Sequence, residues 1–465
     1  MHALTPHSPV AIRPHRTVCD RGQRCSPPSL GSSRACKAAA QQQETVSKGL
    51  SLLEWTNKLL PQSTVVSVVK QGWRLAWQIM VRELAPQSKD GAYKRPSYKF
   101  TGRIGTPEFP AESGRYHVYL GNACPWCHRV YLTLVLRGLL KPQAVQAQAA
   151  GSQSQSSQGP QQPAQHQETG RPGSSQGSSQ GNSLGSRQQG HVSITQLADD
   201  PTRARRGGWV FDASDPDPVW GAQDLWEVYD SASPGFKGRC TAPLLVDKVT
   251  RRIVSNESAD IMRMLNTLHL PDCTSVDLVP EQLRSEIDAL NEQMYESINN
   301  GVYRSGFSTS QAAYDAVQQE LFQALDAMEL RLSRSRFLLG DLLTEADLRL
   351  FPTIVRFDAV YAIIFRCCKR RISDYPHLQS WMRDMWQLEV PGSLDQVRDT
   401  VDIDAARRSY FGNLFPLNAS GIIPSGPTAA DLQLDQAHRR GQGGKVAEAL
   451  AHVRDASAPV LSRAG

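Results

Sequence analysis

The chain has 465 residues, 40% of them hydrophobic and 7% aromatic, which is enough for more than one core, and no run of about 18 residues is both apolar and uncharged, so no membrane-spanning helix is expected. Its net charge of +6 is not a nucleic-acid signature: Arg13, Arg16, Arg21, Arg24, Arg34 and Lys37 face Asp20 alone in the first 40 residues, and the rest of the chain is nearly neutral. Nine cysteines without framework spacing argue against a disulfide scaffold and for a compartment in which thiols stay reduced.

Residues 1–45, rich in Arg, Ser and Pro and lacking an apolar core segment, read as a disordered leader of the organelle transit-peptide type. Import into a chloroplast is the expectation, with mitochondrion or cytoplasm as alternatives. Residues 46–114 read as a helical extension and arm: Val65–Leu84 carries helical apolar spacing and is ended by Pro86.

Tyr116–Leu120 has strand composition and stops at Gly121-Asn122, and Pro125–Leu136 then resumes with helical spacing up to Gly138. Pro125 suits a first helical position, so Cys124 falls at the N-cap, where open N–H groups and the helix dipole favour a thiolate. Cys127 sits one turn on, and a Cys-x-x-Cys at a strand-to-helix turn is a thioredoxin-like redox signature. Half a zinc site or inert packing cysteines are the alternatives. No second ligand pair stands at suitable spacing, since Cys240 and Cys273 are isolated and Cys367 and Cys368 adjacent, so no metal is expected. His128 and Arg129 read as packing or helix-surface residues.

From about 142 to 206 the chain is dominated by Gln, Ser and Gly and reads as a disordered insertion within a domain, tolerable if its ends already lie close. Gly208–Asp212 resumes the fold. Thr241–Asp247 and Arg251–Ser255 read as a hairpin, and Asn256-Glu257-Ser258 opens a helix running to about Leu268. Residues 115–270 thus follow a thioredoxin-like α/β order, with Pro243 as a cis-proline beside the cysteine; a trans or edge-strand proline is the alternative.

Residues 271–415 read as an all-helical domain, with helices over Leu278–Ile298, Ser308–Leu332, Thr344 to about Phe365 and Tyr375–Gln387. Thr344-Glu-Ala-Asp347, flanked by Leu343 and Leu348, and Ser308-x-x-Gln311 mark two helix starts as capping boxes. Residues 416–465 read as a disordered tail.

An α/β thioredoxin-like domain followed by an all-α domain is the layout of glutathione transferases. Ala123-Cys-Pro-Trp-Cys-His-Arg129, Gly208-Trp-Val-Phe211, Val254-Ser-Asn-Glu-Ser258, Val302-Tyr-Arg-Ser-Gly-Phe307, Leu343–Thr353, Arg356-Phe-Asp-Ala-Val-Tyr361 and Arg371-Ile-Ser-Asp-Tyr-Pro376 together resemble the glutathionyl-hydroquinone reductases, the xi class of that superfamily, over roughly residues 64–412. The resemblance implies that Cys124 attacks the sulfur of a glutathionyl-hydroquinone, forming a mixed disulfide that a second glutathione resolves. It implies glutathione contacts at Trp209, Arg239, Ala242, Pro243, Glu257 and Ser258. It also implies phenol-facing hydroxyls at Tyr303 and Tyr361, with Tyr375 as a weaker third, and a homodimer. Each has a plainer reading: Glu257 and Ser258 as helix caps, Trp209 and the tyrosines as core, Arg239 as a solvated charge.

Three features depart from the family pattern. Cys127 stands where many relatives have Ala and is available as a resolving thiol, Ala242 stands where Val is common, and the insertion has no recognised counterpart. The rival readings are an omega-like or glutaredoxin-like thiol transferase or dehydroascorbate reductase, and a non-catalytic module that binds glutathione conjugates.

Overall fold

The computed structural model describes residues 61–86, 88–93, 99–140, 190–271, 273–390, 393 and 395–441. The leader, the body of the insertion and the last 24 residues lie outside them. The chain divides into two units between Gly72 and Trp73, within helix α1 (Gln62–Leu84), and everything below concerns the second unit.

That unit opens with β1 (Tyr116–Gly121), α2 (Pro125–Leu136), β2 (Val192–Asp199), β3 (Trp209–Val210), α3 (Leu225–Ala232), β4 (Leu244–Asp247), β5 (Arg252–Ser255) and α4 (Ser258–Thr267). The strands form one sheet in the order β3-β2-β1-β4-β5. β1 and β2 are parallel, with Tyr116 opposite Val192, as a crossover through α2 requires, and the other pairs are antiparallel. This is the thioredoxin-like arrangement. Every residue of β1 is buried, and α2 packs almost wholly inside.

Two expectations need correction. β2 lies inside the segment expected to be disordered to residue 206, and α3 was not anticipated. The alternation of Val192 and Ile194 with Ser193 and Thr195 continues the polar look of the preceding tract, yet Ser193 and Thr195 are buried because this inner strand is covered on both faces. Ser193 Oγ meets His117 Nδ1 at 2.8 Å across the β1–β2 pair. The insertion's ends do lie together: Val192 N–H donates to the Leu139 carbonyl (3.0 Å), and a Cβ on Gly190 would come 3.0 Å from the Leu140 backbone.

The helical part comprises α5 (Arg284–Met294), α6 (Gly301–Gly306), α7 (Gln311–Leu332), α8 (Glu345–Arg356), α9 (Pro376–Gln387) and α10 (Ile403–Asn413). Wide turns follow α5 at Tyr295–Asn299 and α8 at Phe357–Tyr361. The Thr344–Asp347 box is present, its carboxylate accepting from the Thr344 amide at 3.1 Å, with Leu343 and Leu348 fully buried beside it. α7 is capped differently from expectation: Ser310, not Ser308, accepts from the Ala313 amide (3.2 Å), while Ser308 Oγ donates back to the Arg304 carbonyl (2.6 Å). The expected disordered tail is packed as far as Gly441. Leu432 and Leu434 are buried, Trp386 donates to Asp435 (3.2 Å), and Arg440 donates to the Leu332 carbonyl (2.7 Å) at the end of α7. A polar tail can pack in this way because helix ends leave carbonyls that an arginine satisfies.

Candidate functional site

Cys124 is the N-cap of α2, half-buried, with extended backbone ahead of Pro125. Its Sγ lies 3.7 Å from the carbonyl oxygen of Ala242, and the Ala242–Pro243 peptide is cis, as anticipated. Burial pushes the Cys124 thiol up; the Cys127 thiol, the amides of Cys127 and Trp126 and the positive charge of Arg356 pull it down further, so it lies below its ordinary value. Cys127 is fully buried, and burial together with the neighbouring Cys124 charge pushes it well above the usual thiol range. The pair is therefore asymmetric: Cys124 is the nucleophile, and Cys127 keeps its proton and can donate it in a hydrogen bond.

Glu257 and Ser258 open α4, and a residue read as packing or surface organises them. Arg129 is 2% exposed; its Nη2 donates to Ser258 Oγ (2.6 Å) and Glu257 Oε1 (3.3 Å), and its Nε donates to Ser258 Oγ (3.0 Å). Its guanidinium also lies over the Trp126 ring, 4.8 Å from the centroid. Glu257 caps α4 through the Ala259 amide (3.1 Å), so its capping role is real alongside any ligand contact. Helix α2 thus carries both the thiol and the arginine that holds the α4 N-terminus beside it. Trp209 lies flat on the end of β1, where a Cβ on Gly121 would meet its ring at 2.3 Å, so only glycine fits at that strand end. Trp209, Asn122, Ala123, Ser409 and Asn413 line a cleft of about 370 Å³ next to the cysteine turn.

On the helical side three phenols converge. Tyr303 of α6 and Tyr410 of α10 have their hydroxyls 2.5 Å apart, and Tyr361 Oη is 3.4 Å from Tyr410 Oη. Tyr303 stacks on Trp126 at 6.3 Å and Tyr361 on Phe365 at 5.4 Å. Burial pushes all three phenols up, and the charge of Cys124 adds to that, which places them beside the thiol and keeps them protonated as donors at neutral pH. Tyr410 was missed because its helix was not anticipated. The turn Gly121–Cys124 is tied to that helix by Asn122, which donates to the Asp402 carbonyl (3.0 Å) and accepts from the Asp402 amide (2.8 Å).

Two anticipated residues are not brought to this cluster. Tyr375, the N-cap of α9, is buried under Arg370, whose guanidinium carbon lies 3.7 Å from its ring centroid; burial and the nearby Asp326 push its phenol up to about 12. The ring is a packing element at another end of the bundle. Arg239 is exposed and donates to the Glu83 carbonyl of α1 at 3.2 Å, which supports its plainer reading. Cys124, Ala242, Pro243, Glu257, Ser258 and Trp209 surround the α2 N-terminus, and Tyr303 and Tyr361 face it.

The comparisons with known proteins agree with this geometry. Residues 311–384 match the family model of the glutathione S-transferase C-terminal domain. The glutathionyl-hydroquinone reductase PcpF of Sphingobium chlorophenolicum is 36% identical over 360 residues, covering 76% of this chain and 94% of that protein. Among solved structures, the glutathione-bound YqjG of Escherichia coli aligns with a TM-score of 0.58 at 34% identity, covering 76% of this chain and 97% of that one. The glutathione-S-transferase Xi of Phanerochaete chrysosporium aligns with a TM-score of 0.57, also at 34% identity, over 72% and 97% of the two chains.

Proposed function

This chain belongs to the glutathionyl-hydroquinone reductases, the xi class of glutathione transferases, and we propose that it is an enzyme reducing glutathionyl-hydroquinones with Cys124 as nucleophile. The observation that carries the reading is the meeting of a depressed Cys124 thiol with three protonated phenols at one helix N-terminus. The Cys124 thiolate attacks the conjugate's glutathionyl sulfur. The carbon–sulfur bond breaks, its electron pair stays with the aromatic carbon, that carbon takes a proton, and Cys124 is left disulfide-bonded to glutathione. A second glutathione thiolate attacks this disulfide, releasing oxidised glutathione and the Cys124 thiolate. Overall, one glutathione and one conjugate give hydroquinone and glutathione disulfide.

Glutathione pairs its cysteinyl backbone with Ala242 ahead of Pro243, in the manner of an added strand, and sets its γ-glutamyl carboxylate at the α4 N-terminus beside Ser258. The hydroxyls of Tyr303, Tyr361 and Tyr410 donate to the phenolic oxygen as negative charge develops during attack. Cys127 holds the Cys124 thiolate by hydrogen bonding instead of resolving the disulfide, because a buried thiol pushed up in this way supplies little thiolate. The protein acts as a homodimer, and its Arg-rich, acid-poor first 40 residues support import into a chloroplast. A fluorescent fusion of that segment that stays cytosolic would remove the second point.

The chemical step is tested by single turnover. The protein is mixed with glutathionyl-hydroquinone without free glutathione, quenched in acid, and its mass is measured. One added glutathione on the Cys124 peptide, with one equivalent of hydroquinone freed, is the expected result. Hydroquinone release without an adduct contradicts the mixed disulfide.

A further inference from the structure

α8 ends in Arg356, a fully buried guanidinium that is not among the anticipated site residues. Its Nη1 donates to His128 Nδ1 (2.9 Å) and to the Pro352 carbonyl (3.1 Å), and its Nη2 donates to the Asn122 carbonyl (2.8 Å) in the turn that carries Cys124. Its Nε is buried without a hydrogen-bond partner, and among the described residues no carboxylate pairs with it. An arginine only donates, so His128 must accept at Nδ1 and carry its proton on Nε2, which donates to Thr400 Oγ1 at 2.8 Å. His128 is therefore neutral and cannot balance the charge; burial and Arg356 itself push its imidazole well below the usual range. A buried guanidinium with no anion is a costly arrangement unless a counter-charge forms beside it.

We infer that Arg356 is the positioning residue whose counter-charge is the Cys124 thiolate: it is anchored under the Gly121–Cys124 turn by Asn122 and His128 and holds a positive charge there that no carboxylate quenches. The inference rests on Cys124 as the nucleophile of the proposed function and adds the source of its ionisation. The other groups facing Cys124 are the thiol of Cys127 from α2, Tyr303 from α6, Tyr361 from the turn after α8 and Tyr410 from α10, and all of these are neutral when protonated. Arg356 is thus the charged group among them. Because it lies on α8, the helical domain sets the reactivity of a thiol in the α/β domain.

The test is the pH dependence of Cys124 alkylation by iodoacetamide, followed by peptide fragmentation mass spectrometry in wild type, Arg356→Lys and Arg356→Met. Alkylation reads the thiolate whether or not the conjugate is a substrate, so failure here and failure of the proposed reaction are distinguishable. Arg356→Met should raise the midpoint by about one pH unit or more and slow alkylation at neutral pH about tenfold. Arg356→Lys, which keeps the charge, should stay near wild type. A folded Arg356→Met with the wild-type midpoint overturns the inference, because a purely structural arginine would change the melting temperature and not the titration.

If Arg356→Met does not fold, wild type and Cys124→Ser carry the test. A depressed folded thiol contributes stability that is full above the unfolded value of about 8.5 and is lost as pH falls through the folded value. The wild-type melting temperature should therefore draw ahead of Cys124→Ser as pH rises through that window. A difference that stays flat with pH overturns the inference.

Discussion

Removing the Asp347 carboxylate should loosen the helix that delivers Arg356. Asp347 is fully buried and accepts from the amides of Leu338 (3.0 Å) and Thr344 (3.1 Å), from Thr344 Oγ1 (3.1 Å) and from Trp381 Nε1 (3.1 Å). In Asp347→Ala the hydroxyl can turn elsewhere, but three buried N–H donors cannot, and each costs about 1–3 kcal/mol unpaired. The expected loss is roughly 3–6 kcal/mol after partial relaxation, or about 6–15 °C in a chain of this size. Thermal unfolding by circular dichroism measures it.

The same carboxyl gives a pH signature. Burial outweighs its four hydrogen bonds and raises it to about 6 from 3.8, so the folded state holds the proton more tightly than the unfolded state. Its contribution is full below about pH 4 and is lost as pH rises through 6, and Asp347→Asn should lack that slope. A melting temperature within 2 °C of wild type for Asp347→Ala, or the same slope in Asp347→Asn, would refute the reasoning.

Replacing Arg129 by Met strips three donors from Ser258 and Glu257 and should raise KM for glutathione roughly 10–100-fold in steady-state assays, with a smaller change in kcat. Tyr410→Phe removes one hydroxyl of the converging three and should lower kcat about tenfold, whereas Tyr375→Phe should leave kcat and KM within twofold. Gly121→Ala drives a methyl into the Trp209 ring and should shift tryptophan emission and weaken glutathione binding by titration. Cys127→Ala should raise the pH midpoint of Cys124 alkylation without abolishing turnover, since Cys127 acts as a hydrogen-bond donor.

The parts of the site that were legible in the sequence are those fixed by local chemistry. Cys124 and Pro125 at a strand-to-helix turn, Pro243 before a strand and Glu257-Ser258 at a helix start each carry a signal within a few residues, and each lies where that signal put it. The Thr344–Asp347 box was legible for the same reason. What was not legible depends on distant partners. Arg129 and Arg356 look like ordinary helical arginines until the fold sets one against Ser258, 129 positions along, and the other against Asn122, 234 positions back. Tyr410 lacked a predicted helix, and β2 was hidden because a strand covered on both faces tolerates Ser193 and Thr195 once they are hydrogen-bonded or packed inside. Ser308 and Ser310 offered alternative caps two residues apart, and the choice rested on Ser308 Oγ finding the Arg304 carbonyl of the preceding helix.

The most direct test of the central claim is glutathione-dependent release of hydroquinone from a glutathionyl-hydroquinone by the full chain, with Cys124→Ser and Cys127→Ala measured beside wild type. Turnover by wild type and Cys127→Ala, with none by Cys124→Ser, is the result the account predicts. Reduction of glutathione mixed disulfides by wild type, with no variant able to cleave the conjugate's carbon–sulfur bond, would contradict it and leave a thiol transferase in its place.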